Sequence, residues 1–392
     1  MDKTKLWTDA FLDAKRLEGD PVADDLVRYA YNHNLVSDLN SLLKAIGDGS
    51  LRNQADELDV LLDRYLETTG NVPEWFQPES FKRCHDFFAE NELPIMACLL
   101  FAALPMSFAA AKGAEVLVHT HRMTNNPFRR NLETIQMVRS VMAPDGIDIH
   151  GEGIQTLQKV RLLHAAVRYL LLKNGWDVDT YGVPINQEDL AGTSMLFSYV
   201  VAVRLPYFGT LGMDNQLIED YIHMWKVFGH IMGTQLDMLS DTKAEAKYLS
   251  EKIRARHFAP SEAGKLLTES LLEMVEVYIP DDFDPAAATL LRYFCGNDVG
   301  DILGVEKRFY DRILPALRSL ASLFNGQRWL QPITLDVIDL MFENMYKTRI
   351  LDDITRHRAS YSLPQHLVKT WKKDIKGHSA HELDISDFSD QI

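Results

Sequence analysis

The sequence predicts an all-α protein. Apolar residues recur at the helical period of 3.6 along most of its 392 residues, long runs of alternating polar and apolar residues are absent, and helix start and stop residues bracket the periodic stretches. In order, the pattern places helices at 5 to 18, 22 to 46, 50 to 69, 79 to 91 and 95 to 111. The last of these lies in LPIMACLLFAALPMSFAAA, 93 to 111, which carries no charge over 19 residues. Pro94 and Pro105 interrupt it and anchoring residues at its ends are sparse, so it reads as a buried core helix rather than a stable membrane span.

Asn126 followed by Pro127 marks the start of a helix at 127 to 142, since asparagine caps well and proline suits the first helical position. A helix at 153 to 174 ends at Gly175, where a left-handed glycine belongs. Asn186 and the acidic turn Gln187, Glu188, Asp189 open one at 187 to 205. Further helices are placed at 215 to 234, 241 to 256, 261 to 277, 285 to 297, 304 to 324 and 334 to 347. No repeat or low-complexity linker divides them, so residues 1–392 are read as one large helical domain, with an acidic, loose tail over 378 to 392.

Composition narrows the function. With 46% hydrophobic and 25% charged residues the chain can build a sizeable core. A net charge of −15 excludes nucleic acid as the main partner, because phosphate binding needs a concentrated basic surface. Cys84, Cys98 and Cys295 are odd in number and far apart, which forms neither a disulfide framework nor a metal knuckle, and there is no CxxCH for covalent haem. The first twenty residues lack the apolar run of a secretory signal, and the expectation is a cytoplasmic protein. Oligomeric state is not encoded legibly.

One position stands out. On the 153 to 174 helix, Leu157, Val160, His164, Val167 and Leu171 recur at spacings of 3, 4, 3 and 4, so a histidine occupies the apolar stripe. Arg161 and Arg168 stand one turn to either side of it. Two readings fit: a core histidine hydrogen-bonded to a neighbour, or the ligand of a haem iron. The second also accounts for the arginines, which need anionic partners if buried and find no matching acids on their own helix, whereas a haem offers two propionates.

On the 127 to 142 helix, Arg130, Glu133 and Thr134 share a face. Alone, Arg130 and Glu133 read as a surface ion pair. Facing iron-bound oxygen, Glu133 would move a proton, Thr134 would hydrogen-bond the ligand and Arg130 would hold the carboxylate ionised.

Five blocks carry a family resemblance: GAEVLVHTHRM (113 to 123), RRNLET, KVRLLHAAVR, GVPINQEDLAGT (182 to 193) and YIHMWKVFGHIMG (221 to 233). Spanning about 90 to 235, they resemble the latex clearing protein (rubber oxygenase) and MpaB-type oxygenase superfamily. The resemblance implies a globin-like core extended by further helices, one non-covalent haem b, and dioxygen (O2) as co-substrate. In latex clearing proteins the reaction cleaves the polyisoprene double bond into carbonyl products. By position, His164 matches the proximal iron ligand, Arg161 the arginine one turn before it, and Arg130 and Thr134 the distal pair. Where rubber oxygenases place a lysine, this chain has Glu133, which fits an acid or base beside bound oxygen rather than an iron ligand and puts rubber itself in doubt as substrate. Glu115 is a second carboxylate candidate, read equally as the partner of a basic residue.

The sequence reading is therefore a haem b oxygenase acting on a small lipophilic, unsaturated substrate, with catalytic Glu133, Thr134 and Arg130 and cofactor-binding His164, Arg161 and Arg168. The alternative is a haem sensor or carrier without turnover. A ferritin-like di-iron enzyme is excluded because no glutamate has a histidine three residues later. A helical scaffold gives no reason for His164. His223 and His230, seven apart, read as structural, and His119 and His121 do not form a metal pair.

Overall fold

The computed structural model describes residues 2–33, 57–120, 127–148, 151–208, 212–277 and 286–307. Among these there is no strand, only an isolated bridge between Ala110 and Phe258, so the predicted all-α class holds. The helices are α1 (Asp9–Lys15), α2 (Pro21–Asn32), α3 (Glu57–Thr69), α4 (Pro78–Cys98), α5 (Leu104–Ala109), α6 (Ala111–His119), α7 (Pro127–Met142) and α8 (Glu152–Lys173). They continue as α9 (Val178–Tyr181), α10 (Gln187–Met195), α11 (Val201–Arg204), α12 (Asn215–Ile231), α13 (Lys243–His257), α14 (Glu262–Glu276), α15 (Ala286–Cys295) and α16 (Asn297–Ile302). The helix expected at 334 to 347 and the acidic tail lie outside the described residues.

Several boundaries shift for physical reasons. The separate helices expected at 79 to 91 and 95 to 111 are joined: α4 runs through Pro94 and absorbs it as a kink at Asn91, whose side-chain amide donates to the Phe87 carbonyl at 2.9 Å. A wide π turn over Leu99–Ala103 then leads into α5, just before Pro105, which has no N–H to continue the ladder. The single helix expected at 187 to 205 is also interrupted, by a second π turn over Leu196–Val200 that packs on the first. Gly296 at φ +100 ends α15 and opens α16, which the sequence reading did not separate, and of the helix expected at 304 to 324 residues 308 to 324 lie outside the described residues. The Asn186 cap forms as expected, accepting from the Asp189 N–H.

The apolar helix predicted as core is core. The stretch Pro78–Ala109 is long and apolar enough to cross a membrane, yet 61% of its apolar window is buried inside the protein, against α12, α15 and α14. A second apolar cluster gathers α2, α3 and the C-terminal half of α8. α8 enters both clusters: Ile154 and Leu157 pack in the large one, Leu162 to Leu171 in the smaller.

Candidate functional site

α7 and α8 pack against each other across a tight reversal. Gly153, in the first turn of α8, permits it: a Cβ there would collide with the Gly146 carbonyl and stand 2.7 Å from that of Ser140. At this same end of α7, His85 Nδ1 donates to the Met142 carbonyl at 2.7 Å, and Arg139 pairs with Glu92 of α4, so α7 is also tied to α4.

α8 is buried on nearly every side, and the stripe read from the sequence is not its best-packed face. Leu157, Val167 and Leu171 are buried, but Val160 and His164, in the middle of the stripe, are only half-buried. The imidazole Nδ1 is buried without a hydrogen-bond partner. Leaving such an atom unsatisfied costs about 1–3 kcal/mol, and no described side chain or carbonyl supplies the bond that the core-histidine reading expects at this nitrogen. Burial, and then the charges of Arg168 and Arg130, push its pKa down to about 3, which keeps the ring neutral and a nitrogen lone pair available.

Across from it on α7, Arg130 donates from Nη1 to the Thr134 hydroxyl at 2.8 Å, and that hydroxyl lies 3.4 Å from the Arg130 carbonyl. Glu133 is buried, 4% exposed, with Arg129 Nε 3.8 Å from its Oε1. Arg130 and Thr134 of the predicted trio are thus in contact, and the basic side chain beside Glu133 is Arg129, which the sequence reading passed over. Arg130 is close enough for its charge to act on His164.

The two arginines beside His164 require a correction. With no matching acids on their own helix, the sequence points to a cofactor's propionates as their partners; the acids come instead from the start of α2. Arg161 forks onto Asp20, Nε to Oδ2 at 2.6 Å and Nη2 to Oδ1 at 2.7 Å, and donates from Nη1 to the Ile231 carbonyl at 3.0 Å. Arg168 pairs with Asp24 and donates to the Pro184 and Ile185 carbonyls at 3.0 and 2.9 Å. No acid within helical reach could have revealed this, because the partners lie 141 and 144 residues away. The one legible sign, Gly19-Asp20-Pro21, reads as an ordinary N-cap, yet Asp20 makes no capping bond. Gly233, at φ +93, fits under the first pair: a Cβ would collide with Asp20 Oδ2 and stand 2.8 Å from Arg161 Nε.

The block 182 to 193, expected to support the site, is bound to α8 through Arg168. Ile185 has φ 52, a left-handed conformation that costs a β-branched residue about 1–3 kcal/mol and is held in place by Arg168. Gln187 is fully buried and ties three segments, donating to the Gly19 and Gly233 carbonyls at 2.8 and 3.1 Å and accepting from the Gln235 N–H at 2.9 Å. Next to it Glu188, also fully buried, lies 2.8 Å from both Arg256 Nε and His257 Nε2.

The remaining candidates fall elsewhere. Glu115 stands 3.9 Å from His119, whose Nδ1 donates to the Glu115 carbonyl at 2.8 Å; His121 lies outside the described residues. His223 and His230, read as structural, both pack against Trp75, whose face also carries Lys226 Nζ at 4.0 Å. Among the described residues no group of three or more His, Cys, Asp or Glu is placed to hold a bare metal ion.

Three comparisons bear on this geometry. The family model described as ER-bound oxygenase mpaB/B'/Rubber oxygenase, catalytic domain, matches residues 91–326. The chain is 25% identical over 294 residues to the rubber oxygenase of Streptomyces sp. (strain K30), covering 74% of this chain and 71% of that protein. It shares its fold with a latex clearing protein in the closed state, at a TM-score of 0.72 and 22% identity over 85% of this chain and 91% of the other.

Proposed function

Because the chain belongs to the mpaB/B' and rubber oxygenase catalytic-domain family, it is an oxygenase, and we propose that it works with a haem b held by His164, with dioxygen as co-substrate and a lipophilic, unsaturated compound as substrate. The observation that carries this is the half-buried, neutral imidazole with an orphaned Nδ1, on a helix packed against α7 and within reach of the Arg130 charge. A single protein donor cannot bind iron tightly by itself, and no second cluster of ligands stands nearby among the described residues, so the remaining donors have to come with the cofactor, as a porphyrin's nitrogens do.

When bound, haem supplies the one-electron chemistry that dioxygen requires. The chain's own residues do the rest. His164 gives a neutral nitrogen, which burial and two arginines keep unprotonated. Arg130 fixes the Thr134 hydroxyl as a directed polar group, and Glu133 holds or moves a proton at its carboxyl oxygens in a site shielded from bulk water. Arg161 and Arg168, engaged by Asp20 and Asp24, serve by holding α8 rather than by touching a cofactor.

Visible spectra of the purified protein after haem reconstitution, oxidised, reduced and with carbon monoxide, test the proposal. A Soret band that is lost or displaced in His164→Ala is expected. Absence of any Soret band in the wild type overturns it. Oxygen uptake with an alkene then separates turnover from mere carriage of haem.

A further inference from the structure

Arg161 and Arg168 sit at i−3 and i+4 from His164. At 100° per residue, they lie about 60° and about 40° round the α8 axis from it, on the same side. Each is drawn to an acid at the start of α2: Asp20 at the N-cap position, Asp24 in the first turn. The N-cap Asp20 makes no side-chain capping bond and gives both oxygens to Arg161 instead. Asp24 links the two pairs, accepting the Asp20 backbone N–H at its Oδ2 at 3.0 Å while its Oδ1 pairs with Arg168.

A forked guanidinium–carboxylate pair is directional in a way apolar packing is not. The forked Arg161–Asp20 pair and the single Arg168–Asp24 contact lie on one line of the helix and together restrict its rotation, and with it the bearing of a side chain some 50° away. Everything around them restricts the same degree of freedom. Arg161 also holds the Ile231 carbonyl at the end of α12, Arg168 holds the strained Ile185 turn, and Gln187 ties Gly19 to Gly233.

We propose that Asp20 and Asp24 are positioning residues for His164: by drawing Arg161 and Arg168 onto the start of α2, they set the rotation of α8 and so the direction in which the imidazole is offered. This rests on the reading of His164 as the iron ligand. Neither acid touches the cofactor.

The test is a double-mutant comparison read by haem affinity in Soret titrations and by the ferrous spectrum, with circular dichroism to follow helix content. In the wild-type background, Asp20→Asn with Asp24→Asn should weaken haem binding by about 10- to 100-fold, the usual range for partners that orient a metal ligand. In His164→Gly supplemented with free imidazole, the axial nitrogen no longer depends on the bearing of α8, and the same changes should cost about twofold or less. An equal loss in both backgrounds, or no loss in either, overturns the proposal. A His164→Gly spectrum unchanged without imidazole would instead overturn the ligand reading on which it rests. If the double variant loses its helical signal, Asp20→Asn and Asp24→Asn made singly carry the same comparison, and Asp20→Glu should recover part of the affinity.

Discussion

The two flanks of α8 are built on opposite plans. Toward α2 and α3 its polar groups are closed off by protein partners: Arg161 by Asp20, Arg168 by Asp24, and Gln158 by the Leu66 carbonyl and the Thr69 hydroxyl, both at 2.9 Å. Toward α7 the helix presents a half-buried Val160 and a histidine whose buried Nδ1 has no partner. The difference separates a flank closed by ion pairs and hydrogen bonds from one that leaves a polar atom open, where the proposed haem ligand lies. A charge is tolerated inside a protein when it is answered, and an unanswered polar atom persists when function keeps it.

The sharpest way to break the contrast is to remove one charge from the closed flank. Arg161→Ala leaves Asp20 buried and unpaired and should cost about 3–5 kcal/mol in urea unfolding. A loss below about 1 kcal/mol would mean the pair is ornamental. On the open flank, Glu133→Gln should cost turnover rather than stability. Oxygen uptake is expected to fall about 100-fold or more, with the unfolding midpoint nearly unchanged.

Smaller effects sharpen the picture. Gly233→Ala forces a left-handed alanine into the Asp20–Arg161 pair, and a loss of about 2 kcal/mol is expected from thermal melts. His164→Ala, by contrast, removes a polar atom that is not satisfied, so the unloaded protein should change by about 1 kcal/mol or less in the same melts. Acid titration probes the support behind the closed flank. Burial pushes the Glu188 carboxyl up, but His257 and Arg256 outweigh it and hold its pKa below the usual 4.5. A folded-state value below the unfolded one means that this contribution is complete above about pH 4.5 and vanishes as pH falls through the lowered value. Wild type should therefore lose more stability than Glu188→Gln on going from about pH 6 to about pH 3, compared by denaturant midpoints.

Some of this was legible in the chain itself. Helical periodicity fixed the class, and Pro127 and Asn186 marked two helix starts correctly, because caps and periods are local and each residue reports on its own few neighbours. The same locality put Arg130 beside Thr134, one turn apart on α7, and singled out His164 as a polar ring on an apolar stripe. Periodicity could not show that α8 is buried almost all round, so that the stripe's middle is the looser face and not the packed one. Nor could it distinguish a proline that ends a helix from one absorbed at Asn91, a choice made by the neighbours packed around α4.

Local spacing by itself determined that a histidine and two arginines share one length of helix, and that an arginine, a glutamate and a threonine share another. Only the tertiary structure decided what answers those charges. Asp20 and Asp24 reach Arg161 and Arg168 across more than 140 residues of chain, and that pairing turns the arginines from ligands in waiting into the frame for His164. The physical reason is one of range: helix propensity and capping act within about a turn, whereas a buried charge is settled by whatever folding brings within a few ångströms, however distant in sequence.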